Sequence, residues 1–165
     1  MKRRHALALA TLPLWSAAQA APAQPGEVVH WPDVALLDGG RFGPAQAAGR
    51  ALVVVFWSTT CPFCRRHNQH VEKLQRASAG QDLAVLGVAR ERDAAAVARY
   101  AQQQGYSFPI TLEHAALAAA LSTRSVIPLT ATVTRAGRLR QVIPGEMFEE
   151  DVMELMQLAR AEARS

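Results

Sequence analysis

Ala51-Leu52-Val53-Val54-Val55-Phe56-Trp57-Ser58-Thr59-Thr60-Cys61-Pro62-Phe63-Cys64 is the stretch on which the reading of this chain turns. Its first seven residues are apolar without alternation and rich in β-branched side chains. That is the composition of a strand covered on both faces, at the centre of a sheet. The two cysteines follow at once, with Pro62 placed where a helix tolerates a missing N–H. A strand end and a helix start therefore meet at a pair of thiols.

Outward from this point the chain reads as alternating short elements. Upstream, Val34 to Phe42 is a hairpin with Asp38-Gly39-Gly40 as turn chemistry. Downstream, His67 to Ala77 has helical composition and ends near Gly80. Leu83 to Ala89 is a second buried strand. Asp93 to Gln104 is a helix with Asp93 as N-cap and Gly105 as stop. A short alanine-rich helix is predicted from Glu113 to Leu121. Thr130 to Thr134 and Leu139 to Ile143 form a hairpin about Ala136-Gly137. Phe148 to Ala163 is a final helix with Phe148, Val152, Leu155, Met156 and Ala159 on one face. The order is an α/β fold with a parallel βαβ half joined to an antiparallel βα half, which is the thioredoxin arrangement with an N-terminal β-hairpin extension.

The N-terminus calls for separate treatment. Met1 to His5 is basic, Ala6 to Trp15 is an apolar run too short to anchor in a bilayer, and Ala18-Gln19-Ala20 fits a signal-peptidase site. We expect residues 1–20 to be a cleaved signal peptide, 21–27 a flexible leader, and 28–165 one domain. An uncleaved N-terminal anchor is the alternative, and either places the domain outside the cytoplasm. The whole chain carries 18 Lys+Arg and 14 Asp+Glu. Without Lys2, Arg3 and Arg4 the balance is near neutral, so the clustered positive charge that nucleic-acid binding needs is missing. Glu149, Glu150, Asp151 and Glu154 read as a solvated acidic face.

Only two cysteines are present, and a structural disulfide closing so short a loop would restrict the unfolded chain little. Catalysis explains them better. The nucleophile in disulfide exchange is the thiolate, and a helix N-terminus favours that anion. Cys61 is then the exposed attacking thiol and Cys64 the resolving thiol. Cys61, Cys64, His67 and His70 are also spaced by three, which raises a soft-metal site such as copper. On a helix such positions rotate by about 60° per step, so the four cannot all converge without distortion.

Val55 to Arg65, with Ile127-Pro128 downstream, resembles the periplasmic thioredoxin-like proteins of the TlpA and ResA type, including the DsbE-like reductases of cytochrome c maturation. The likeness runs from about Val34 to the end. It implies an exported thiol–disulfide oxidoreductase with a redox-active disulfide and no organic cofactor, working on exported thiol or disulfide proteins such as apocytochrome c. It implies a membrane thiol electron donor as second partner and the periplasm as location. It further implies that Pro128 is cis and packs on the dicysteine, with Ile127 offering backbone to substrate and Trp57, Thr60, Pro62 and Phe63 surrounding the thiols. The chain departs from the family at Thr60, where Trp is common, at His67, where Glu is common, and at Gln69, where Pro is common. Val55 stands where cytoplasmic thioredoxins keep a buried acid. The proton acceptor for Cys64 is thus open: His67 is one possibility, though a solvated surface histidine is the plainer reading, and Glu91 is a weaker one, expected to be exposed. Two rival functions are an oxidase of the same fold and a copper metallochaperone using Cys61, Cys64 and His67.

Overall fold

The structure is a computed structural model that describes residues 21–160. The expected signal peptide and the last residues of the expected final helix lie outside this range. β1 (Val34–Ala35) and β2 (Arg41–Phe42) form the hairpin, followed by a short α1 (Pro44–Ala47). Then come β3 (Ala51–Trp57), α2 (Pro62–Ala77), β4 (Leu83–Ala89), α3 (Ala94–Gln104), β5 (Ile110–Thr111), α4 (His114–Leu121), β6 (Leu129–Val133) and β7 (Leu139–Pro144). α5 (Glu149–Glu154) runs into a 3₁₀ turn, Leu155–Ala159. The main sheet has the order β5-β4-β3-β6-β7. β3 is parallel to β4 and antiparallel to β6, and β7 closes the other edge antiparallel to β6.

The unbroken apolar run is explained by this position. All seven residues of β3 are buried, and successive side chains serve opposite faces. Ala51, Val53, Val55 and Trp57 join Cys64, Val71 and Leu74 of α2, Val97 of α3 and Val152, Leu155 and Leu158 near the C-terminus. Leu52, Val54 and Phe56 join Val34 and Phe42 of the hairpin and Leu117 and Leu121 of α4. The hairpin is sewn to the domain as well as packed on it: Leu37 N–H donates to Ile110 O (2.8 Å), and Ala35 N–H to Glu113 Oε1 (2.9 Å). Residues 21–27, expected as a leader, have no regular structure but are tied down by Ala23 N–H to Ala120 O and Gly26 N–H to Leu139 O.

The caps of α3 match expectation: Asp93 accepts from Ala96 N–H, and Gly105 stops the helix with φ +72°. α2 starts at Pro62, as expected of a proline at a helix start, with Cys61 as its cap and the helical composition of His67 to Ala77 continuing it. One expectation is corrected here. Phe148 does not face the core; it is 78% exposed. It precedes α5 in an extended conformation, so its side chain leaves the helix face. Val152, Leu155 and Ala159 are buried as expected and Leu158 joins them, the second half being a 3₁₀ turn, while Met156 is only partly buried. α1 and β5 were not foreseen, being too short to show a period.

His67 is fully buried, not solvated. It holds three elements together: its Nδ1 accepts from Met147 N–H (3.2 Å) and its Nε2 lies 3.0 Å from Thr130 Oγ1. Since Nδ1 accepts, the neutral ring carries its proton on Nε2 and donates to Thr130. Burial, aided by the nearby His70 and opposed by Glu146, pushes the imidazole down to about 4.

Two expectations follow. Gly87 sits in β4 where an added Cβ would stand 2.7 Å from Phe108 Cε2 and 3.1 Å from Trp57 Nε1. Gly87→Ala should therefore destabilise by about 2 kcal/mol, seen as a lower urea midpoint at unchanged slope. For His67 the unfolded ring takes up its proton near its ordinary value of 6.5 and the folded ring only near 4. Its contribution is thus intact above pH 6.5 and drains away as pH falls through that window, by about 3 kcal/mol in all. Urea titrations across this range should show His67→Gln losing that part of the pH dependence; parallel curves for the two proteins would refute it.

Candidate active site

Parallel pairing of β3 and β4 brings their C-terminal ends to one edge, with Trp57 opposite Ala89. From there the chain turns through Ser58, Thr59 and Thr60 into α2. Cys61 is the N-cap of that helix, and its sulfur accepts from Cys64 N–H at 3.1 Å. Cys61 and Cys64 form a disulfide with Cα atoms 5.2 Å apart. Cys61 is partly exposed, whereas Cys64 is fully buried. One sulfur can meet a partner protein; the other can be reached only by Cys61.

The Ile127–Pro128 bond is cis. Pro128 is buried at the start of β6, next to β3, and its carbonyl accepts from Gly145 N–H (2.8 Å). Ile127 is half-buried and packs on both cores, and Val126 is exposed. Phe63 is 56% exposed, with the Arg66 guanidinium 5.0 Å from its ring centre. Pro62 and Thr60 are exposed as well. Trp57, grouped with the surround from sequence, lies in the core beneath the site against Tyr100 and Tyr106.

The two suggested proton acceptors occupy different places. Both His67 nitrogens are engaged by Met147 and Thr130, and a ring held near pKa 4 is a weak base at neutral pH. The same engagement denies the copper reading its third ligand. Among the described residues no group of three or more His, Cys, Asp or Glu side chains is placed to hold a metal ion.

Glu91 is half-buried rather than exposed. Its Oε1 accepts from Ser58 Oγ (2.8 Å), Thr59 N–H (2.6 Å) and Thr59 Oγ1 (2.8 Å). Burial pushes this carboxyl up, but the hydrogen bonds from Ser58 and Thr59 outweigh it and hold the group below its ordinary value. Sequence reading missed Ser58 and Thr59 as partners. The signal was the register: with Trp57 level with Ala89, the residues two steps on are Thr59 and Glu91.

The sequence profile of the Redoxin family matches residues 24–158. The thiol–disulfide oxidoreductase ResA of Halalkalibacterium halodurans is 28% identical over 127 residues, covering 77% of this chain and 72% of that protein. In fold, the chain is similar to a thiol:disulfide interchange protein of the thioredoxin family from Chlorobium tepidum, with TM-score 0.68, 22% identity, and coverage of 84% of this chain and 99% of that one. It is similar too to a secreted Mycobacterium tuberculosis disulfide oxidoreductase homologous to E. coli DsbE, with TM-score 0.63, 17% identity, and coverage of 75% and 92%. With a Cys61–Cys64 disulfide at a helix N-terminus on a thioredoxin-type sheet, and a match over most of its length, the chain belongs to the Redoxin family, as a thioredoxin-like thiol–disulfide oxidoreductase of the ResA type.

Proposed function

We propose that the protein is an exported reductase of protein disulfides, acting on exported proteins such as apocytochrome c. The observation that carries the reading is the unequal burial of the two sulfurs, Cys61 partly open and Cys64 closed. The reduced protein would attack a substrate disulfide with the Cys61 thiolate. A mixed disulfide forms and one substrate sulfur leaves, taking up a proton. Cys64, giving up its proton, then attacks Cys61 and frees the second substrate sulfur. Two electrons and two protons pass to the substrate, and Cys61–Cys64 is left as a disulfide. A dithiol donor at the membrane would restore it by the same exchange in reverse.

Several features support reduction over oxidation. The Pro62-Phe63 spacer lacks a histidine that would stabilise the thiolate. Only β4, α3, β5 and α4 lie between the helix of the dicysteine and Pro128, leaving no room for the helical insertion of strongly oxidising relatives. For export, the basic-apolar-small N-terminus is the main support, and one structural neighbour is described as secreted. The exposed Phe63, and the exposed Val126 next to half-buried Ile127 in the chain, suit contact with an extended, apolar segment of substrate.

The direction is tested by equilibrating residues 21–165 in glutathione buffers. A potential near that of thioredoxin, about −270 mV, is expected; a value near −120 mV would make the protein an oxidant. Cys64→Ser should accumulate mixed disulfides through Cys61, and Cys61→Ser should abolish exchange. If trapping persisted without Cys61, the assignment of the attacking sulfur would be wrong.

A further inference from the structure

The turn that delivers Cys61 contains three hydroxyl side chains in a row, Ser58, Thr59 and Thr60, and their hydrogen bonds run in one direction. An ionised carboxylate only accepts. The Ser58 hydroxyl, 2.8 Å from Glu91 Oε1, must therefore give its single proton to Glu91. The Thr59 hydroxyl does the same at 2.8 Å. Ser58 Oγ, its proton spent, can only accept from Thr60, whose Oγ1 lies 3.0 Å away and whose N–H lies 3.3 Å away. So the Thr60 hydroxyl proton also points back along the turn. All three hydroxyl protons are drawn toward Glu91, and none is left for the adjoining Cys61 sulfur. The Cys61 N–H is held in the turn as well, donating to Ser58 O at 3.3 Å.

The charge itself is near. Glu91 Oε1 is bonded to Thr59 N, and the Cα atoms of Thr59 and Cys61 stand within about 8 Å by chain geometry. No lysine or arginine forms an ion pair with Glu91 among the described residues. Of the charged groups on the surrounding elements, Arg66 of α2 is taken by Glu146 and Arg90 stands against His114 of α4. Arg65 on α2 and Arg92 and Asp93 beside Glu91 are exposed to solvent.

We propose that Glu91 is the positioning residue that sets the reactivity of Cys61: its carboxylate fixes the 58–60 turn, withholds the turn's hydroxyl protons from the thiolate, and disfavours the thiolate by charge. Against this, the helix N-terminus and Cys64 N–H (3.1 Å from the sulfur) favour the anion. The balance keeps the Cys61 thiolate less stable than a bare helix N-terminus would. A less stable reduced form is a stronger reductant, so Glu91 biases the couple toward giving electrons away. This deepens the reductase reading and rests on it.

Glu91→Gln keeps the shape and an acceptor oxygen but removes the charge, and its amide N–H groups can reverse the hydroxyl chain. In the reduced variant the Cys61 pKa, followed by thiolate absorbance, should fall by about one unit. The reduction potential should rise by as much as tenfold in the exchange constant, which is about 30 mV for this two-electron couple. Glu91→Asp keeps the charge and should stay near wild type in both. Unchanged pKa and potential in the Gln variant would overturn the proposal. Equal shifts in Gln and Asp variants would overturn it too, since the cause would then be loop geometry and not charge. The wild-type potential alone decides the direction of electron flow, whereas the difference between Gln variant and wild type decides the role of Glu91 at either end of the scale.

Discussion

The parallel register between β3 and β4 is the constraint from which the site follows. A strand buried on both faces has no polar surface to choose its neighbours by, so its backbone pairing and the packing on its two sides must fix it. Here seven consecutive pairs, from Ala51 opposite Leu83 to Trp57 opposite Ala89, do so. The pairing ends both strands at one level. The chain leaving β3 must then turn into α2 beside the chain leaving β4. Cys61 at the helix N-cap and Glu91 beside the turn are consequences of that shared end point.

A second tie acts on the other side of the cysteine helix. α2 carries Cys64 on its buried face, and three residues on it carries His67, wedged between Thr130 of β6 and Met147 before α5. Pro128, two residues before Thr130, is the cis proline. One neutral imidazole thus joins the helix of the dicysteine to the strand that starts at the cis proline. The ring serves both neighbours at once, accepting from the Met147 N–H and donating to the Thr130 hydroxyl.

The two sulfurs differ because of how a helix start sits on a sheet. Cys61, as N-cap, is still outside the helix and meets solvent, while Cys64 has turned inward against Val55 and Trp57 in the same core. In the core that holds Cys64 the neighbour on β3 is the apolar Val55, and the His67 nitrogens are engaged. The ionisable group closest in role to the dicysteine is Glu91, at the rim and on the side of Cys61. The acid–base character of this site is therefore weighted toward the attacking sulfur.

Much of this was legible in the residues themselves. The unbroken run Ala51–Trp57 required a central strand, Asp93 and Gly105 bounded a helix, and Cys61-Pro62-Phe63-Cys64 announced redox chemistry, because each depends on neighbours in sequence: burial on both faces, a cap, a positive φ, a thiol beside a helix N-terminus. The sequence also placed Phe148 on a buried face, and there it misled, since the helix begins one residue later and Phe148, still extended, points away from that face. What only the tertiary structure decided were the fates of the polar side chains. Whether His67 is solvated or buried depends on Thr130 and Met147, more than sixty residues away in the chain. Whether Glu91 is a loose surface acid or the acceptor for Ser58 and Thr59 depends on the register of two strands. A hydrogen-bond partner is a matter of position in space, and the apolar pattern that fixes a strand leaves its register, and so those partners, unspecified.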